Sequence, residues 1–407
     1  MGLKARVKLL SGLHQPTLLV RWLLKLFKDN RLPDLVKEEL FLEMNLFVKW
    51  KLGNIFYNRS FLRCPIQKVY YQKSIQKKVT STRIVKQKIG KPVLLSLTDK
   101  KGLVNIMRAS LALQYRETDP VTYADEDELE LFEMGRGLQI VLIGMVKERR
   151  LSLESYVGYM AFKNGVPVSY GGGWMWGQRC KIGINIYPPF RRGESAWIFC
   201  QVLGIYHNYF GSRHFIVKPY QFGKGNPEGL KSAAFWFYYK LGFRPANEPV
   251  NNEAAIEWSK VRKNKNYRTP HKQLKHYTAG NLEWKISDKS FPDFDSGKVS
   301  TIVSNAINQK FDCDRRLAIS FCLEKMKKQL PAASLKRETA YQQQVLVNWS
   351  LLLFVLGDIE KWTAFQKRML VNLIKLKQTG KERDYVLQLQ KHNQLWKSLK
   401  KAIIKQG

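Results

Sequence analysis

The sequence predicts an α/β protein: a mixed sheet core over about residues 101–250, with helical N- and C-terminal extensions. Three observations lead there. Between Tyr156 and Pro245, short apolar runs and helical periodicity follow one another in the order β-β-β-α-β-α-β. Asn164-Gly165 joins two of the runs, and Asn-Gly is a strong hairpin signal because both residues tolerate positive φ. A strand–helix–strand unit with a crossover of this length returns to the same sheet in parallel.

In chain order, residues 1–60 read as helices. The stretch 35–47 carries apolar residues near 3.6-residue spacing and follows Pro33, which suits a helix start. A helix turning Leu9, Leu10, Leu18, Leu19, Leu23 and Leu24 inward accounts for the first leucines; a transit peptide or interfacial helix is the alternative. Arg21 and Lys25 interrupt that run, which falls short of the ~20 apolar residues a bilayer requires. Residues 65–100 are basic and weakly alternating, as exposed strands or an extended arm would be. A helix is expected over 103–115. The acids Asp119, Asp125, Glu126, Asp127, Glu128, Glu130 and Glu133 then read as the solvated face of a short helix, or as a lure for a cationic amine. The run after Gly137 reads as a buried strand.

The core follows. Strands are expected over 156–162, 166–176 and 182–187. The triple glycine at Gly171, Gly172 and Gly173 needs a bulge, a kink or a close ligand to explain it. Pro188-Pro189 ends the third strand, and a helix runs over 194–209. A strand over 214–220, a helix over 230–241 and a last strand from Phe243 complete the core. Residues 251–300 read as a polar linker and 301–407 as helices.

Charge is lopsided, with 69 Lys+Arg against 33 Asp+Glu and a net charge of +36. Residues 51–100 hold 12 bases and one acid, and residues 351–407 hold 12 bases and four acids. Either an anionic partner or a lysine-rich solvated surface accounts for this. Nucleic acid is one such partner, tracked by these two segments with Tyr70, Tyr71, Trp362 and Trp396 interleaved. The five cysteines are widely spaced without a CxxC, which suggests reduced thiols and a cytoplasmic setting. The six histidines show no metal-ligand spacing, so no metal is expected.

The residues Phe190-Arg191-Arg192-Gly193-Glu194-Ser195 stand between a strand and a helix start. Such a turn aims free N–H groups, through Ala196, and a positive dipole end at whatever lies above it, which favours a phosphate. Further on, KSAAFWFYYKLGF places Tyr238 four residues before Gly242. Together these resemble the GNAT superfamily of N-acetyltransferases, over about residues 100–250. The family pattern at the turn is Arg/Gln-x-x-Gly-x-Gly/Ala; Gly193 fits, Ser195 is small, and Phe190 departs, with Arg191 next to it.

The resemblance implies acetyl-CoA, or another acyl-CoA, held by Arg191, Arg192, Gly193, Glu194, Ser195 and Ala196. It implies direct attack by an amine of a small molecule or protein, with Tyr238 protonating the leaving thiolate. Glu154 and the acidic cluster over 125–133 are candidate bases, Tyr170 and Asn185 could line the cleft, and the 224–226 loop could reach the coenzyme's adenine end. Two rival functions remain. One is transfer of an aminoacyl group from charged tRNA by a duplicated core of this kind. The other is nucleic-acid binding by a core that has lost catalysis.

Overall fold

A computed structural model describes residues 62–76, 79–191, 193–286, 294–331 and 335–406, with scattered positions between 21 and 39. The chain divides into two compact units, Met1–Ile55 and Phe56–Gly407. In the first, the described positions within 21–27 and 35–37 are helical, as their periodicity predicts, and Leu24 is exposed rather than turned inward. Leu9, Leu10, Leu18, Leu19, Leu23 and residues 40–47 lie outside the described residues.

The second unit opens with an arm carrying one short helix, α1 (Ser81–Lys86). Helix α2 (Leu97–Ala112) starts at a capping box between Ser96 and Asp99, and α3 (Asp119–Thr122) follows. Five strands come next: β1 (Ala124–Glu133), β2 (Leu138–Met145), β3 (Ser155–Lys163), β4 (Val166–Trp176) and β5 (Arg179–Ile186). Then come α4 (Ser195–Phe210), β6 (His214–Val217), α5 (Pro227–Lys231), α6 (Ala234–Lys240) and β7 (Arg244–Pro245). Helices α7 (Glu248–Lys263) and α8 (His271–His276) precede β8 (Leu282–Lys285). Six helices close the chain: α9 (Ser296–Phe311), α10 (Arg315–Gln329), α11 (Ala340–Leu356), α12 (Ala364–Thr379), α13 (Glu382–Lys391) and α14 (Asn393–Gln406).

The eight strands form one sheet in the order β1-β2-β3-β4-β5-β6-β8-β7. The β5–β6 pair is parallel and every other neighbouring pair is antiparallel. Asn164 and Gly165 take φ of 48° and 77°, as the hairpin reading requires. One face of the sheet (Leu142, Tyr159, Ile182, Ile184) packs on α4 and shares its core with Trp349, Leu370 and Tyr385 of the C-terminal helices. The other face (Val141, Ile143, Met160) packs on α2 and α3 through Leu103, Met107 and Val121.

Four expectations change. The acid-rich run is strand β1, not a helix, and it alternates inward and outward residues. The polar linker contains α7, α8 and β8, and β8 inserts between β6 and β7. The helix expected over 230–241 is broken where Ala233 takes a left-handed φ of 51°. The triple glycine makes room for tyrosine rings. A Cβ on Gly171 would lie 2.8 Å from the Tyr159 hydroxyl, on Gly172 2.6 Å from the Tyr156 ring, and on Gly173 2.5 Å from the Tyr206 ring.

Candidate functional site

The parallel pair is short. Arg179, Cys180 and Lys181 of β5 face His214, Phe215 and Ile216 of β6. Strand β5 then continues to Ile186, while β6 ends at Val217 and a 3₁₀ turn, Pro219–Phe222, carries the chain away. Beyond Lys181 the edge of β5 therefore borders a gap. Tyr238 of α6 fills it from the α4 side, with its phenol oxygen beside the Ile184 N–H. Phe237 at 5.2 Å, Phe199 at 5.7 Å and Phe243 at 5.9 Å surround the ring. Burial pushes the Tyr238 phenol well above the usual tyrosine value, against the lowering pull of the Ile184 N–H. The phenol thus keeps its proton at neutral pH and can offer it as a hydrogen-bond donor.

The turn above the gap matches the expected place. Pro188–Phe190 forms a 3₁₀ turn and α4 begins at Ser195. As in any first helical turn, its leading N–H groups have no intrahelical acceptor. Gly193 is exposed, and a Cβ there would meet only the Phe190 carbonyl, at 3.6 Å. The fold itself does not demand glycine at this point. Arg191 is half-exposed; its Nε donates to the Ile186 carbonyl at 3.1 Å, and its Nη1 pairs with Glu228. Arg192 lies outside the described residues.

Glu194 has a different part from the one its position suggests. Its side chain makes no capping bond and turns away from the helix end. It accepts from Arg136 Nη2 at 2.9 Å, Lys163 Nζ at 2.9 Å and the Gln76 N–H at 3.0 Å. Burial pushes its carboxyl up, but the Gln76 N–H and these cations outweigh that and hold it below the usual range. Glu194 is a buried knot joining the basic arm to the core, with its charge already paired.

Glu154 is not brought to Tyr238. It pairs with Lys181 at 3.5 Å near the start of β5, and three residues separate that level from Ile184, roughly 10 Å along the strand. Two acids of β1, Asp125 and Glu128, are likewise internal partners. Arg150, almost fully buried, donates to Asp125 at 3.2 Å and Glu128 at 3.1 Å, and to the carbonyls of Met145 and Gly380, each at 2.8 Å. Lys377, equally buried, donates to both Glu382 oxygens at 2.8 Å and to the Glu154 carbonyl at 2.9 Å. This joint ties α12 and α13 to the end of the sheet opposite the 186–195 turn.

The basic segments also differ from expectation. The arm is pinned to the hairpin: Cys64 N–H donates to the Gly165 carbonyl at 2.8 Å, and Tyr70 exchanges two 3.0 Å bonds with Asn164. Tyr71 is exposed, but Trp362 and Trp396 are core residues and cannot stack on a nucleic-acid base. Asn226 caps α5 through the Gly229 N–H rather than reaching outward. Asn185 is exposed, and Tyr170, directly opposite it on β4, is buried.

Two features escaped the sequence reading. The Ile184 N–H carries no side-chain signal. Gln221 comes from the turn that crosses the gap and lies against Gly183, with side-chain atoms 2.8 Å from where a Cβ would stand. Among the described residues no helix is long and apolar enough to cross a membrane. Comparison with family models, with curated proteins and with solved structures finds no match to this chain.

Proposed function

We propose that the chain is an acyl-CoA-dependent N-acyltransferase of the GNAT type, acting on an amine in a cytoplasmic setting. One observation carries the reading: parallel β5 and β6 part beside a helix N-terminus, and a buried phenol lies beside the freed Ile184 N–H. The donor thioester would supply the acyl group. Gly193 and the first N–H groups of α4 would receive its phosphates, and Arg191 would exchange Glu228 for one of them. Gly193 supports this, because its lack of a side chain serves an approaching ligand better than it serves the turn.

The chemistry asked of the protein is modest. The amine nitrogen forms the new C–N bond, the C–S bond breaks, and the amine's proton leaves to water. Tyr238 steadies the departing thiolate by donating a hydrogen bond. With its pKa held high, stabilisation rather than full proton transfer is its part. The duplicated-core rival has less support, since the described strands form one sheet and the described elements from Ser296 onward are all helices. The nucleic-acid rival loses two of its four aromatics to the core.

The test is calorimetry with coenzyme A. Binding is expected, and Arg191→Ala should weaken it about tenfold, the low end for a charge-assisted contact. Unchanged affinity in that variant would remove this turn as the donor site.

A further inference from the structure

Between residues 66–71 of the arm and the β1–β2 hairpin lies a cleft of about 450 Å³, within the size range of small-ligand sites. Ile66, Val69 and Tyr71 give it an apolar rim, and all three are exposed. Glu133 and Gln139, directly opposite each other on β1 and β2, give it a polar wall. Gln139 falls on the sheet face that Val141 and Ile143 continue, where an apolar side chain would pack. Its Nε2 donates to Glu133 Oε1 at 2.7 Å and to the Pro65 carbonyl at 3.0 Å. Both partners are acceptors, so the amide nitrogen and oxygen cannot exchange places. Gln139 is only 3 % exposed, and its Oε1 is buried with no hydrogen-bond partner among the described residues. A buried acceptor without a donor is costly, and a ligand's N–H would satisfy it.

We infer that this cleft binds an organic cation with N–H donors, a primary ammonium or a guanidinium on an apolar stem. Glu133 keeps a second carboxylate oxygen for the charge, Gln139 Oε1 takes one N–H, and the stem lies on Ile66, Val69 and Tyr71. Reaching both acceptors takes at least two N–H groups, which either cation has. The neighbouring cations leave room for another. Arg136 and Lys163, which lie over the Tyr70 ring, are paired with Glu194. Lys68 is exposed, and its flexible stem lets the ammonium turn to water, whereas the Gln139 amide holds the Glu133 carboxylate in place. Strands β3 and β4 separate β2 from β5, so Gln139 and Ile184 are three strand spacings apart, roughly 14 Å. An amine held in the cleft is too far off to be acylated at the gap, and its binding does not depend on the acyltransferase reading.

Calorimetry on the full chain tests this, with butylammonium, butylguanidinium and butyltrimethylammonium as titrants. At least one of the first two should bind with a Kd on the order of 1 mM, as a small ligand with a charge-assisted contact allows. The tighter of them names the cation. Butyltrimethylammonium has the same charge and stem but no N–H, and should bind about tenfold more weakly or not at all. Glu133→Gln leaves the Gln139 amide an acceptor and removes only the charge. Glu133 is exposed, so the melting temperature should hold while the N–H cation's affinity falls about tenfold. Failure of both N–H cations to bind, equal binding of the trimethyl cation, or unchanged affinity in Glu133→Gln would each overturn the assignment.

Discussion

Two ends of the sheet hold buried polar chemistry, and they are built by opposite rules. At the Arg150–Lys377 joint every strong donor is spent: Lys377 grips Glu382 and the Glu154 carbonyl, and Arg150 divides itself among two carboxylates and two carbonyls. At the gap, the Tyr238 oxygen lies beside the Ile184 N–H and its own proton remains to be given. The saturated end joins elements; the unsaturated end is where a ligand can gain something. Counting titratable groups alone would have chosen the joint. Pairing the donors with their acceptors chooses the gap.

The sharpest break in this comparison is at the joint. Lys377→Met leaves the buried Glu382 carboxylate with only Arg150, at 3.7 Å, and should cost about 3 kcal/mol in urea unfolding. Adding Glu382→Leu should recover much of that loss, since an apolar pair replaces an ion pair at little cost. A loss under about 1 kcal/mol in the single variant would mean that the joint does not hold α12 and α13.

Tyr238→Phe should do the reverse. Turnover should fall about 10²-fold, as expected for removing one aligned donor to developing charge. Stability should fall by no more than about 1 kcal/mol, because only a hydroxyl is removed while the ring packing stays. Normal turnover would make Tyr238 a packing residue.

The joint also carries a pH dependence that the gap should lack. Burial, with Glu382 and Asp125 nearby, raises the Glu128 carboxyl to about 7, against the lowering influence of Arg150 and the Glu382 N–H. Unfolded, the same group ionises near 4.3. The fold therefore holds an extra proton between these values. That contribution is complete below the unfolded value and is lost as pH rises through about 7, at most about 3–4 kcal/mol. Urea midpoints measured from pH 4 to 8 should show the decline, and Glu128→Gln should flatten it. A slope that survives the substitution assigns the proton elsewhere.

The smallest effect on stability is expected at Gly193. Its Cβ would meet only the Phe190 carbonyl, at an ordinary distance, so Gly193→Ala should change the melting temperature little. Coenzyme A affinity should fall nonetheless. Equal affinity would leave the glycine unexplained by a ligand.

Much of the core was legible because its signals are local. Asn164-Gly165 announces a hairpin, Pro188-Pro189 ends a strand, and Gly242 takes φ 101° where a helix end was expected. Strand β1 was legible too: Glu128-Leu129-Glu130-Leu131 alternates with period two, and the density of acids hid the pattern. Strand β8 was not, since four residues within a polar stretch offer too short a period. The joint could not be read at all, because Arg150 and Gly380 lie 230 residues apart. At the site, the turn and Tyr238 were visible as motifs. The parting of β5 from β6, the Ile184 N–H and the reversal of Glu194 depend on tertiary contacts between groups far apart in sequence.

The central claim, that the gap and the first turn of α4 hold the acyl donor, is tested most directly by amide hydrogen exchange with and without acetyl-CoA. At saturation, protection should rise along residues 182–186 and over 193–197, while the joint around Lys377 stays unchanged. Tyr238→Phe should keep the protection over 193–197. Protection confined to other segments, or none at saturating acetyl-CoA, would contradict the account.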